Sequence, residues 1–574
     1  MRTTGVGRQD VLGRRSAGGR PPWTAKTALL AALIADFGMA PIAPIAPIAP
    51  IAPLAADSEL PIIDVHTHVF NLRYLPVRGI LVARGVPKAV AGALDRLLVG
   101  ATSLAPLSGA DAPPSAGLAA LDALDTSGMN DAAARGYVLG RIQRAEADRP
   151  QGTPGELLTP AERRALRKYV ADQPPRADLA PGETGDLALV GAALDKARFA
   201  PAREKSYARF LATLMQDELA IVRAAQRDYP EVDLMVHHLM DMERAYDDRP
   251  SVVSGAQIAR LPELARRFPG ELIGFVALDP FRRAEALAGV RSALASGAAL
   301  GVKFYPPSGY RAAGNGDWPG KPGWWKFALR DQWSSRYSGW KGSGLDRVNR
   351  ELFAYCALHD IPILAHCTPD GFEAAEGYGR MADPDFWAQV LGEFPKLRLA
   401  LAHAGGGDSW FSDRAWNGRD GFDQRAWDLA TRFENVYLDF SYSDEVLDPR
   451  QLAALRRRFT TLLAAPAAAG RPYALADKIL YGSDWHMVAV LDGRAQILDR
   501  LRDLFAEPAL APYRARFFAG NAVRYLGLAA LADGAPGLRR VDPASRAALG
   551  ALVARVRSAT DFAVVDNPSE RSHP

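Results

Sequence analysis

From Pro61 onward the chain alternates short apolar runs with longer amphipathic ones, and this alternation limits the fold more than any other feature. It is the pattern of βα units around a parallel sheet. Eight runs read as strands, at 62–65, 232–236, 272–278, 300–305, 361–365, 397–402, 436–440 and 479–481. Their residues are branched, aromatic or otherwise apolar at successive positions, as strands buried on both faces require. A recurring junction joins helix to strand: Phe268-Pro269, Phe394-Pro395 and Phe433-Glu434-Asn435 each close a polar-faced stretch shortly before a strand. Eight such units imply an α/β fold, a (β/α)₈ TIM barrel.

The spacing of the strands is uneven, with most of the extra length between the first and second. Residues 69–230 therefore read as a long, mainly helical insertion after the first strand. Within it, Thr159-Pro160-Ala161-Glu162 supplies an N-cap, a proline at the first helical position and a capping-box glutamate ahead of a helix over 163–170. A second helix is expected to run over 206–229, with Tyr207, Phe210, Leu211 and Leu214 on one face and Pro230 as its stop. The remaining organisation is a leader at 1–60, the barrel at 61–528 and a C-terminal helical extension with tail at 529–574.

The leader has two readings. Arg2, Arg8, Arg14, Arg15, Arg20 and Lys26 precede an apolar run at 28–35, which resembles an export signal. Asp36 and the Pro-Ile-Ala repeats at 41–52 fit a structureless leader instead, since proline cannot continue a helix. Cytoplasmic and exported locations both stay open. No membrane span is expected, because about 20 consecutive apolar residues would be needed. Composition adds exclusions: 69 basic against 65 acidic residues leave a net charge of +4, so nucleic acid is a poor partner and a small-molecule substrate the better one. The two cysteines, Cys356 and Cys367, read as free thiols in a chain too long for one bridge to be its scaffold.

Of nine histidines, five end a predicted strand. His66 and His68 lie two apart in Asp64-Val65-His66-Thr67-His68, so on an extended segment they point to one side and can share a metal ion. His237 follows the second strand, His366 the fifth and His403 the sixth, while Asp484 follows the eighth in Tyr481-Gly482-Ser483-Asp484. In a closed parallel barrel all these ends meet on one rim, where the active sites of such barrels are built. Three neutral imidazoles and a carboxylate suit zinc first, then manganese or iron. A water at an open coordination position would have its pKa lowered towards about 7 and act as nucleophile.

The ordered set resembles the amidohydrolase superfamily, in particular amidohydrolase family 2, which also contains metal-dependent decarboxylases. It extends over about 61–528 and rests on His66-x-His68, His366, Leu401-Ala402-His403-Ala404-Gly405-Gly406, Gly482-Ser483-Asp484 and the closing Gly520-Asn521-Ala522-Val523-Arg524-Tyr525-Leu526-Gly527-Leu528. The resemblance implies that His66, His68, His366 and Asp484 bind the metal and that His403 holds the hydrolytic water or a second ion. It also implies that Lys303, in Gly301-Val302-Lys303-Phe304-Tyr305, is either carboxylated and bridges two metals or serves as a cation for a substrate carboxylate or oxyanion. The long insertion departs from compact members of the family.

Plainer roles exist for each residue. Taken alone, His66 and His68 fit a surface pair, His366 a hydrogen-bonded core histidine, Asp484 an N-cap, and Lys303 a lysine reaching solvent from a strand end. Their common position at strand ends favours the site. His237 and His238 fit a structural or a substrate-facing role equally; His359, His486 and His573 receive none. Trp318, Trp324, Trp325, Trp333 and Trp340 crowd the connection after the fourth strand, as loop packing or as a wall for an aromatic or acyl substrate. The expected chemistry is metal-dependent hydrolysis of an ester, lactone or amide, with Asp484 and His403 as the catalytic groups and Asp484 carrying the proton to the leaving group. The alternative is non-oxidative decarboxylation of an aromatic or unsaturated acid, which the resemblance disfavours because decarboxylases of this branch often carry glutamate where His66 stands. A silent ligand-binding barrel would show gaps in the ligand set.

Overall fold

The computed structural model describes residues 60–107, 128–148, 157–172, 184–197, 206–316, 342–534 and 541–559. The leader, His573 and the five tryptophans after the fourth strand lie outside them. Eight parallel strands form one sheet in the order β1-β2-β3-β4-β5-β6-β7-β8, with helices between them. They are β1 (Ile63–Thr67), β2 (Leu234–His238), β3 (Leu272–Leu278), β4 (Gly301–Phe304), β5 (Ile363–Ala365), β6 (Leu399–Leu401), β7 (Val436–Phe440) and β8 (Ile479–Tyr481). The architecture is the (β/α)₈ barrel expected from the apolar runs. Almost every strand residue is buried, which is why the runs are apolar without alternation.

Two details of the sheet place the site. The β1–β2 register runs Ile63 to Leu234 and Asp64 to Met235 but then Thr67 to His237, so β1 holds one extra residue at its carboxyl end. A bulge of this kind bends the strand and re-aims its side chains. The seam between β8 and β1 is closed by main-chain bonds just past β8: the Asp484 N–H donates to the His66 carbonyl at 2.7 Å, and the His68 N–H donates to the Trp485 carbonyl. The stretch that closes the barrel is therefore also the stretch that carries His66, His68 and Asp484.

Between β1 and β2 the described residues hold seven α-helices, α1 (Val77–Ala83), α2 (Lys88–Gly100), α3 (Asp131–Ala147), α4 (Pro160–Val170), α5 (Gly185–Ala197), α6 (Tyr207–Leu214) and α7 (Glu218–Asp228). The capping box at α4 forms as its sequence dictates: Glu162 N–H donates to Thr159 Oγ1 at 3.2 Å and Thr159 N–H to Glu162 Oε2 at 2.8 Å. The single helix expected over 206–229 is instead two, α6 and α7. Asp217 takes the Ala220 N–H at 2.9 Å and starts a new helix. The Met215 carbonyl is drawn off by the fully buried Arg141, whose guanidinium also caps the Ala101 carbonyl. Three insertion segments thus meet on one guanidinium, and that is what breaks the helix.

The insertion is bonded to the barrel through buried polar groups. Glu218 accepts from Tyr74 Oη at 2.7 Å, from the Ala105 N–H at 2.8 Å and from Arg260 at 2.6 Å, the arginine belonging to the Ser254–Arg267 helix that follows β2. Removing one partner of so buried a pair strands the other charge, at a cost of about 3–5 kcal/mol. Leu549, Leu552, Val553 and Val556 of the Pro543–Ala559 helix belong to one buried apolar cluster with Ile63 and Val65 of β1 and Leu234 and Val236 of β2. Among the described residues no helix is long and apolar enough to cross a membrane.

Candidate metal centre

His66, His68 and Asp484 each place one donor atom within 4.8 Å of the others, and all three are buried. The Nε2 atoms of His66 and His68 lie 3.4 and 3.3 Å from Asp484 Oδ1. Lys303, from β4, points at the same place, with Nζ 2.7 Å from His66 Nε2. His366 and His403 stand across the rim and face one another, His403 Nε2 being 3.3 Å from His366 Nδ1. The backbones of Asp484 and His403 both sit at φ 57°, a left-handed conformation that side chains other than glycine rarely adopt.

Which imidazole nitrogen carries the proton follows from the partners, because a carbonyl can only accept. His68 Nδ1 lies 2.9 Å from the His238 carbonyl, so it is the N–H and Nε2 is bare. His366 Nε2 lies 2.9 Å from the Asp370 carbonyl, so Nδ1 is bare. Thr368 agrees, since its hydroxyl donates to that same carbonyl and accepts from His366. His403 Nδ1 has the Ser441 carbonyl at 3.4 Å and the Ser441 hydroxyl at 3.0 Å, leaving Nε2 bare. His66 Nδ1 bonds Asp439 Oδ2 at 2.6 Å, and its Nε2 accepts from Lys303.

All four rings therefore spend their N–H on an outer partner and turn a lone pair inward. His366 and His403 even set two lone pairs against each other, an arrangement that calls for a proton or a cation between them. Outer acceptors that fix ring and tautomer are what metal-ligating histidines need. The donor set fits a divalent transition ion.

Burial governs the electrostatics. It pushes the His68 and His366 imidazoles down to about 3, with the Lys303 charge adding to the effect, and lowers His66 and His403 well below the usual histidine value. The rings are thus neutral at any ordinary pH, the form in which an imidazole can bind a metal. Burial lifts the Asp484 carboxyl to about 7 against the opposing pull of Lys303. The Lys303 amine is pushed down to about 8 by burial, with Asp484 and Asp439 acting the other way. Its Nζ bonds His66 Nε2, and the Asp484 and Asp439 carboxyls are the opposite charges that act on it.

Other expected residues fall in different places. His237 turns its Nδ1 to accept the Val69 N–H at 3.0 Å. It is the neighbouring His238 whose ring packs 5.1 Å from that of His66, its Nε2 donating to the Val65 carbonyl. His486 donates to the Phe70 carbonyl and packs on Phe70 and Phe210. His359 packs edge-on against Tyr355. Cys356 and Cys367 are free and buried. Asp439 and Ser441 were not picked out from the sequence. A carboxylate inside the apolar run Val436-Tyr437-Leu438-Asp439-Phe440 was the available signal, with Ser441 two residues on and so on the same face.

Against known proteins, a family model described as amidohydrolase matches residues 63–528, most of the chain. No curated protein gives a significant match. Among solved structures, the chain is similar to an uncharacterised TIM-barrel protein from Bordetella bronchiseptica, at 18% identity over 54% of this chain and 83% of that one, with a TM-score of 0.34. It is also similar to 2,6-dihydroxybenzoate decarboxylase from Rhizobium, at 15% identity over 57% and 94% of the two chains, TM-score 0.35. A third is 5-carboxyvanillate decarboxylase from Sphingomonas paucimobilis, at 13% identity over 63% and 94%, TM-score 0.35. With a barrel rim of inward-facing imidazoles and a family match that spans every strand, the chain belongs to the amidohydrolase family.

Proposed function

We propose that this chain is a metal-dependent hydrolase acting on a carbonyl group, an ester, lactone or amide, of a small organic substrate. The observation that carries the reading is the set of four neutral imidazoles, each with its bare nitrogen turned towards the rim that also holds Asp484. A divalent ion, zinc first and manganese or iron next, held by His66, His68, His366 and Asp484, supplies Lewis acidity and a water of lowered pKa.

The chain's own groups then have separable work. Asp484, on the rim beside the nitrogens of His66 and His68, takes a proton from water and hands it to the leaving group. The bare Nε2 of His403 is the second proton acceptor in reach of the rim. Lys303 offsets negative charge that develops on the substrate carbonyl oxygen. Burial of all these groups keeps bulk water from competing for them. A screen of esters, lactones, amides and aromatic acids with zinc- and manganese-loaded enzyme tests the reading. Metal-dependent turnover of at least one class is expected, and turnover confined to loss of carbon dioxide from aromatic acids would overturn it.

One observation favours a second reading, decarboxylation of an aromatic or unsaturated acid. Lys303 is a buried lysine whose Nζ lies 2.7 Å from His66 Nε2 on the same rim, a place where a cation suits a substrate carboxylate. The same lysine decides between one metal and two. If it is carboxylated and bridges two ions, reconstitution depends on bicarbonate and Lys303→Ala loses metal; if it is a substrate contact, Lys303→Ala keeps its metal and loses substrate affinity.

A further inference from the structure

The hydroxyl of Ser441 lies at the junction of three site residues. It is 2.9 Å from Asp439 Oδ2, 2.9 Å from His66 Nδ1 and 3.0 Å from His403 Nδ1. A serine hydroxyl has one proton to give and two lone pairs with which to accept. With both Nδ1 atoms carrying their protons, the one acceptor among the three is Asp439 Oδ2, so the hydroxyl proton goes there; the hydroxyl oxygen receives the His403 N–H and shares the His66 N–H with Asp439. The space for this junction exists because residue 482 is glycine: a Cβ there would stand 2.2 Å from Asp439 Oδ1, 3.0 Å from His66 Cβ and 3.0 Å from Ser441 Cβ.

We propose that Ser441 is a positioning residue which, through its bond to Asp439, holds His403 as the Nδ1–H tautomer and keeps its Nε2 free to accept a proton. The inference rests on the hydrolase reading for its catalytic consequence, but the tautomer itself does not. His66 is fixed twice over, by Asp439 directly and by Ser441. His403 has only Ser441, through its hydroxyl and, at 3.4 Å, its carbonyl. Loss of the hydroxyl should therefore be felt at His403 far more than at His66. The His403 ring would then share its proton between Nδ1 and Nε2, and in the second form the nitrogen facing the rim is blocked.

The test is nitrogen-15 spectroscopy of the full-length, zinc-loaded protein labelled at the histidine rings, with the His403 signals identified by their loss in His403→Gln. Wild type should show His403 protonated at Nδ1, and Ser441→Ala should move a measurable share of the proton to Nε2 while His66 is unchanged. After zinc loading, Ser441→Ala should keep its metal content and its KM and lose about 10- to 100-fold in kcat, as expected when an outer partner is removed. Ser441→Thr, which retains the hydroxyl, should recover most of it. A wild-type His403 protonated at Nε2 would overturn the proposal without any variant, as would a Ser441→Ala protein whose His403 stays wholly Nδ1–H. Because the tautomer is read without substrate, failure to find hydrolysis would count against the hydrolase reading and leave the tautomer result standing.

Discussion

The two sides of the rim hold their imidazoles by unlike means. At the β8–β1 seam, His66 and His68 sit on or next to a bulged strand, their N–H groups anchored on the buried Asp439 carboxylate and on a strand carbonyl. At β5 and β6, His366 and His403 lie just past their strands. Their N–H groups rest on loop atoms, the Asp370 carbonyl, Thr368 and Ser441. Both sides reach the same result, a bare nitrogen facing in, but the first does so with the sheet and the second with loops. Sites built on regular elements are held more rigidly than sites on loops. Metal affinity should therefore be concentrated at the seam, and proton transfer and substrate contact across from it.

The largest expected effect follows directly. His66→Ala and His68→Ala should lose the metal and all metal-dependent turnover, whereas His366→Ala should weaken binding yet retain a larger share. Elemental analysis of the three purified variants checks this, and equal loss in all of them would break the distinction between the sides.

Next in size is Asp484→Asn, which keeps an oxygen donor but cannot accept a proton near neutrality. It should hold a substantial share of metal while turnover falls by about 10²-fold or more, the usual scale for a lost general acid or base. Near-normal turnover in a metal-loaded Asp484→Asn protein would leave Asp484 a ligand only and pass the proton work to His403.

A smaller effect is expected one layer out. Asp439→Asn should weaken metal binding by about 10- to 100-fold, the range for outer partners of ligating histidines. Thr368→Val, which removes the loop-side partner of His366, should cost less, because the Asp370 carbonyl still takes the His366 N–H. Competition with a chelator of known affinity measures both, and a larger loss in Thr368→Val would reverse the ranking.

The smallest effect is one of pH. Burial pushes the His68 and His366 rings to about 3, so no proton competes for them above pH about 4, but it holds the Asp484 carboxyl at about 7. A metal must displace that proton. Apparent affinity should therefore fall about tenfold per pH unit below about 7 and level off above it, by proton linkage. The histidines give the opposite sign to Asp484 in the stability of the metal-free fold. A ring kept neutral near 3 in the fold takes up a proton near 6.5 once unfolded, so its contribution is present above pH 6.5 and is lost as pH falls towards 3. Asp484, protonated in the fold up to about 7, adds stability at low pH that disappears as pH rises towards 7.

Much of this was legible in the sequence for a physical reason. Strands buried on both faces must be apolar at every position, so all eight runs stood out, and residues 436–440 and 479–481 coincide with β7 and β8. His66, His68, His366, His403 and Asp484 were visible because each follows or ends such a run. What was not visible depends on contacts between distant segments. The break between α6 and α7 is made by Arg141, some seventy residues upstream, taking the Met215 carbonyl. The choice of His238 over His237 as the ring beside His66 depends on the β1–β2 register, which the bulge shifts. Asp439 and Ser441 meet His66 across 373 and 375 residues of chain, a distance over which spacing carries no information.

The measurement that tests the central claim most directly is metal content joined to activity after chelation. Protein purified without added metal should hold about one to two equivalents of a transition ion, as sites of this ligand set do. It should lose turnover when a strong chelator removes the ion and regain it on addition of zinc or manganese. Protein that carries no transition metal and whose activity survives the chelator would contradict the account.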